Sequence, residues 1–289
     1  MKKTFLFIIF ALCSVVLMAQ NTFTGATIMR QSMHYENNFD VIVENVKTFI
    51  DKDTTMDAST KGMAKMMAKT IAKNQLKIME LQKYITALPD GEFSVYEKWD
   101  GVNNRAMIFT PELGRVLIWD GEEGTLIVAY MKLKTALKVT DPAYKTDQFR
   151  MSCAYIAPAA DEEVTEINGF RAIPNYGLAL YEKVGGDKSE AITIAGKEYV
   201  KVPAAGYKLE NYGILVQQTV TTEYYTMDQN LVTCKQGPVD AANFALPEGY
   251  KVVNKADALV KSLKKAIKNN GLAVNYDVNQ MPDVIWNIQ

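Results

Sequence analysis

The sequence predicts an α+β protein, one large curved antiparallel sheet with helices packed against its concave face. Three observations carry that reading. From Glu92 to about Val253 short runs of alternating apolar and polar residues are separated by turn signals, as in a strand-rich chain. Helical periodicity is confined to the flanks, about 38–88 and 255–268. The 289 residues are 48% hydrophobic and 22% charged, enough apolar surface for a large core, and this excludes a disordered or disulfide-stapled chain.

Lys2 and Lys3 precede an apolar run from Phe5 to Ala19, and polar residues follow. The run is shorter than the roughly 20 residues that cross a bilayer, so residues 1–19 read as a cleaved signal peptide. Cys13 follows Leu12 rather than a small residue, which argues against lipid attachment. The expected product is soluble and exported, to the periplasm, the outer-membrane surface or beyond. Residues 20–289 read as a single domain: helices at about 38–88, the sheet at about 92–253, a C-terminal helix and tail at 255–289. Lys plus Arg total 32 against 33 for Asp plus Glu, so nothing points to nucleic acid.

Phe39, Ile42, Val43, Val46, Phe49 and Ile50 recur at helical spacing and predict a first helix over 38–51. A second, from about Asp57 to Leu88, would be roughly 45 Å long. Met63, Met67, Ile71, Ile78, Leu81, Ile85 and Leu88 share one face of it. Lys61, Lys65, Lys69, Lys73 and Lys77 fan across the other, and no acid lies between Ala58 and Met79. Pro89-Asp90-Gly91 stops it. Asp100-Gly101 and Asp120-Gly121 are hairpin signals within an antiparallel meander that runs to Tyr130. Strand text resumes after Asn168-Gly169: Leu178–Lys183 and Ala191–Ile194 flank Gly185-Gly186-Asp187, Lys197–Val202 follows, and Ile214–Thr226 turns at Met227–Asn230 into Leu231–Cys234. A last helix aligns Ala256, Leu259, Val260, Leu263 and Ile267, and Asn270-Gly271 ends it. The tail, with Trp286 and Ile288, adds an edge strand or docks into a groove.

The chemistry is sparse. His34, the single histidine, has no partner motif, and the Asp51/Asp53/Asp57 run lacks the Gly and Glu of a calcium loop. No phosphate loop, nucleophile elbow or Cys-x-x-Cys is present. No catalysis, cofactor or metal is expected. Cys153 and Cys234 could form one disulfide or remain two buried thiols. Methionines adapt to varied apolar shapes. Met63, Met67 and Ile71, with Trp99 and Trp119 on the sheet, are therefore candidates to line a hydrophobic groove, or else plain core. Lys65, Lys69 and Lys73 are candidates to meet anionic headgroups or an acidic envelope protein, or else simply keep the helix solvated.

Leu117-Ile118-Trp119-Asp120-Gly121 with Leu137-Lys138-Val139, then Ile194-Ala195-Gly196-Lys197-Glu198-Tyr199, and above all Phe244-Ala245-Leu246-Pro247-Glu248-Gly249-Tyr250-Lys251-Val252-Val253 resemble phrases of the periplasmic lipoprotein-carrier superfamily (LolA/LolB-like). The resemblance implies an unclosed, half-barrel-like sheet with helices in its mouth that binds acyl chains, of a lipid or a lipoprotein, on its concave face. It implies no catalytic residues. The expected function is thus an exported carrier of a hydrophobic ligand. The alternative is a non-catalytic envelope module docking through the Lys/Met-rich helix onto an acidic partner or an anionic membrane surface.

Overall fold

The computed structural model describes residues 22–53, 55–82, 84–157, 163–180, 192–194, 197–277 and 280–288. The expected signal peptide and the turn at Gly185-Gly186-Asp187 lie outside them. The elements run β1 (Thr24–Tyr35), α1 (Phe39–Lys52), α2 (Ala58–Met66), α3 (Ala68–Gln82), β2 (Gly91–Asp100), β3 (Arg105–Thr110), β4 (Arg115–Asp120), β5 (Thr125–Tyr130), β6 (Thr135–Thr140) and α4 (Gln148–Cys153). There follow β7 (Thr165–Ile167), β8 (Phe170–Leu180), β9 (Ile192–Ile194), β10 (Lys197–Leu209), β11 (Leu215–Thr221), β12 (Tyr225–Gln236), β13 (Lys251–Val253) and α5 (Ala256–Asn270). All described strands form one open sheet in the order β13-β6-β5-β4-β3-β2-β1-β12-β11-β10-β8-β7, with β9 on β10. Only β13 against β6 is parallel. The α+β class and the open curved sheet match the expectation.

The sheet does not begin at Glu92. Its central strand is β1, which pairs with β2 on one side and β12 on the other. Thr27, Met29, Gln31 and Met33 alternate with Ala26, Ile28 and Arg30, so each set lies on its own face. One face carries Met29, Met33, Phe93, Val95, Ile108 and Leu231, and continues across Leu117, Val128 and Leu137 to Leu259 and Leu263 of α5. The other carries Ile28, Tyr96, Met107, Phe109, Val116 and Ile118. The C-terminal tail straps across that second face. Tyr276 packs edge-on against Tyr96 and Phe109, and Ile285 is fully buried. Lys98 Nζ donates to the Pro282 carbonyl at 2.8 Å, while Asn243 Nδ2 donates to the Asp283 carbonyl and its Oδ1 accepts from Ile285 N. Docking, not an added edge strand, is the tail's role.

The expected 57–88 rod is two helices, interrupted at Met67, and it stops at Gln82. Its burial is also turned from the expected face. Ala68 and Ala72, with Ala64, Leu76 and Met79, pack against Ile42, Val43, Val46 and Ile50 of α1 and against Tyr224. Met63 and Met67 are each 56% exposed, Met66 81%, and Ile71 and Ile78 are exposed too. Alanines let two helix backbones approach closely, so the small-residue stripe won the contact and the larger side chains were left outside.

The turn expected at Met227–Asn230 lies instead at 222–224. Thr222 Oγ1 accepts from the Tyr224 and Tyr225 amides, a hydroxyl-closed turn. Asp228 and Asn230 sit within β12, paired with Thr219 and Gln217. The two Asp-Gly pairs do mark turns, but as four-residue loops, and their glycines serve proximity. A Cβ on Gly101 would overlap Cys153 Cβ, and one on Gly121 would overlap the Thr146 carbonyl.

Candidate functional site

The face that carries Met29 and Leu117 is closed at one end and hollow at the other. At the end bearing the Asp-Gly loops, α4 lays Phe149 between Trp99 and Trp119, with ring centroids 6.3 and 5.7 Å away. Both indole N–H groups are used internally: Trp99 Nε1 donates to Thr27 Oγ1 at 3.0 Å and Trp119 Nε1 to the Tyr144 carbonyl at 2.9 Å. Thr27 Oγ1 donates in turn to Glu97 Oε2 at 2.6 Å. Burial raises the Glu97 pKa above the ordinary carboxylate range, against the lowering effect of that hydrogen bond.

Cys153 and Cys234 belong to the same packed cluster, with Phe23 and Ile214, and are free thiols rather than a disulfide. Burial, with Asp100 adding to it, pushes Cys153 up to about 12, and burial pushes Cys234 up to about 11. Thiols held so far from the thiolate are poor nucleophiles.

At the opposite end lies a cavity of about 860 Å3 between the ends of β1, β5 and β12, the second half of α3 and the chain that follows it. That size falls within the roughly 300–1,000 Å3 usual for small-molecule sites. Met33, Leu76, Met79, Leu88, Met227 and Leu272 form its apolar wall. Three side chains from the sheet fix the segment after α3: Tyr130 Oη donates to the Tyr84 carbonyl at 2.8 Å, Arg115 Nη2 to the Thr86 carbonyl at 3.3 Å, and Tyr35 Oη to the Leu88 carbonyl at 3.0 Å. Capture of these carbonyls explains why the helix ends at Gln82, although its apolar spacing continues to Leu88.

Arg115 is the unusual member. Register places Thr110, Arg115, Tyr130 and Thr135 side by side across β3, β4, β5 and β6. All four are buried, and Arg115 is 0% exposed. Arg115 Nε and Nη1 and Thr110 Oγ1 have no hydrogen-bond partner. Desolvation lowers the Arg115 pKa, partly countered by Tyr130 and Tyr35, yet an arginine stays protonated.

The sequence-based candidates are scattered. Trp99 and Trp119 help fill the closed end. Met63, Met67 and Ile71 lie on the outside of the α1–α3 unit, and none of the five lines the cavity. Lys65 forms an ion pair with Asp51, tying α2 to α1, while Lys69 and Lys73 are exposed. His34 is an exposed strand residue whose Nε2 lies 3.2 Å from Ser32 Oγ. Arg115, Tyr130 and Tyr35 were missed. The available signal was parity: Arg115 shares its strand face with Leu117 and Trp119, an inward position for a cation.

No family model matches the chain, and no curated protein matches it. Among solved structures, the one described as "Structure of PNGF-II in C2 space group" is similar at 11% identity, with a TM-score of 0.29, over 59% of this chain and 30% of that chain. Likeness at that level carries no argument about fold or function. No described helix is long and apolar enough to cross a membrane, and among the described residues no cluster of His, Cys, Asp or Glu could hold a metal ion.

Proposed function

We propose that the protein is an exported, non-catalytic carrier that binds an apolar chain, of a lipid or a lipidated partner, in the cavity at the open end of its sheet. The single observation that carries this is the hollow itself. A methionine- and leucine-walled space of about 860 Å3 beside α3 is what an acyl chain would fill. The resemblance to lipoprotein carriers points the same way. The ligand differs in place from the sequence-based groove: it lies against Leu76 and Met79, on the inner side of α3, rather than against Met63 and Met67.

A second reading, an interaction module of the cell envelope, is favoured by a separate observation. Met63, Met66, Met67, Ile71 and Ile78 are exposed on the unit that also exposes Lys69, Lys73 and Lys77, a combination suited to an anionic lipid surface.

One flotation experiment tests both. The purified protein is incubated with phosphatidylglycerol-containing vesicles and the two are then separated. Lipid carried away in the soluble protein fraction, and lost in Leu76→Trp, supports the carrier. Protein that floats with the vesicles until Lys69, Lys73 and Lys77 are reversed to Glu, with no lipid extracted, supports the docking module instead. Protein that neither extracts lipid nor floats overturns both.

A further inference from the structure

The cavity is not apolar all round, and its charged lining is of one sign. Glu36, Glu80, Asp90 and Glu223 line it, and among the described residues no lysine or arginine does. Arg115 lies behind the wall at 0% exposure, out of reach of anything inside. Glu80 also faces an outer hollow lined by Lys73 and Lys77, which offset its charge. The other three acids stand together at one corner. Tyr35 N donates to Asp90 Oδ1 at 3.3 Å, and Glu36 N donates to the carbonyl of Tyr224, the residue after Glu223, at 2.9 Å. None of the three enters an ion pair among the described residues. Asp90 is exposed and Glu36 and Glu223 are half-buried, whereas Met33 is buried, so this corner is the mouth of the cavity. Two lining rings meet there. Tyr35 and Tyr225 pair across β1 and β12 and pack edge-on, with centroids 6.1 Å apart and planes at 64°.

We infer that the cavity takes a single-chain amphiphile with a quaternary ammonium head, which enters tail first and leaves that head at the mouth, on the Tyr35–Tyr225 corner and among Glu36, Asp90 and Glu223. The tail then lies against Met33, Leu76, Met79 and Met227. The inference rests on the carrier reading and gives it a ligand class. Aromatic rings set at an angle attract an ammonium through their quadrupoles, and carboxylates nearby add a Coulomb attraction. A quaternary head suits this corner better than a primary amine. It carries no N–H to satisfy, and Glu36 Oε1 and Asp90 Oδ1 already accept from the Asn38 and Tyr35 amides. Tyr84 is not part of the head site, because Lys264 Nζ stands 5.8 Å from its ring centre. An anionic head would face three like charges at the mouth, which costs binding. Arg115 supports the same orientation. Its positive charge lies behind the wall by Tyr130 and Thr86, so a cationic head carried inward would be repelled, while the acids hold it at the mouth.

The test measures binding of dodecyltrimethylammonium, dodecylammonium, dodecanol and dodecanoate, four heads on one tail, to the full-length mature protein by calorimetry, below the concentrations at which they form micelles. The trimethylammonium is expected to bind at least about fivefold more tightly than dodecanol, the scale of one cation–π contact. It should also bind more tightly than dodecylammonium and dodecanoate. In the triple variant Glu36→Gln, Asp90→Asn, Glu223→Gln, which keeps the acceptor oxygens, that preference should shrink while dodecanol binding is unchanged. Tyr225→Leu should lower the preference as well. If dodecanol binds wild type as tightly as the trimethylammonium, or dodecanoate binds best, the head-group assignment is overturned and the carrier reading survives. If dodecylammonium binds as tightly, the quaternary assignment is overturned. If none of the four binds, the carrier reading falls as well. The wild-type comparison decides these outcomes even where a variant fails to fold.

Discussion

The two ends of one sheet face hold opposite solutions to the same problem. At the closed end, Trp99, Trp119 and Phe149 interlock, and a half-buried carboxyl, Glu97, is met by the Thr27 hydroxyl. At the open end the packing stops short, a cavity remains, and a buried cation, Arg115, has donors to spare. A continuous strand pattern thus yields a core at one end and a container at the other. What separates them is the segment that covers each: α4 inserts a ring, whereas the chain after α3 is held at its carbonyls and leaves the space beside it open.

That contrast can be broken from its strong side first. Phe149→Ala removes the ring between the two indoles and should destabilise the protein by about 3–5 kcal/mol, read as a lowered midpoint in urea. A loss below about 1 kcal/mol would mean that the closed end is as loosely filled as the open one. Gly101→Ala should cost about 1–3 kcal/mol, because its Cβ would strike Cys153 Cβ and the Phe23 carbonyl, neither of which a change of rotamer can move. A variant as stable as wild type would show that α4 is not seated tightly on the loop.

Glu97→Gln should have the smallest effect, and a stabilising one. Burial holds the folded-state carboxyl above its unfolded value of about 4.3. The folded state therefore binds the proton more tightly, and stability is lost as pH rises through that window. Glutamine keeps an acceptor for Thr27 without the charge. The variant's Tm should exceed that of wild type at pH 7, and the difference should close as pH falls toward 4. A constant difference across pH would separate Glu97 from the titration.

Much of the fold outside the cavity is legible in the sequence: the meander from Glu92 to Tyr130, both Asp-Gly loops, and α1 and α5 by their apolar spacing. The open end is not. The α2–α3 stretch carries two stripes that could be buried, Met63/Met67/Ile71/Ile78 and Ala64/Ala68/Ala72/Leu76/Met79. Hydrophobicity favours the first, while close approach to α1 selects the second. In α5 no such choice exists, and Leu259 and Leu263 are buried as expected. β1 escapes notice because Gln31, Arg30 and His34 interrupt its apolar residues, although its alternation is intact. Arg115 escapes because its significance lies in the absence of a counter-ion, which depends on what the fold places around it.

The position of β1 also has a kinetic side. It is the earliest of the described strands along the chain, yet its partner on one flank, Tyr225–Gln236, lies about two hundred residues downstream. Loop closure over such a span is slow. While the β2–β6 hairpins form by local contacts, the far edge of β1 stands with its amides and carbonyls bare, a template for intermolecular pairing until the second half of the sheet arrives.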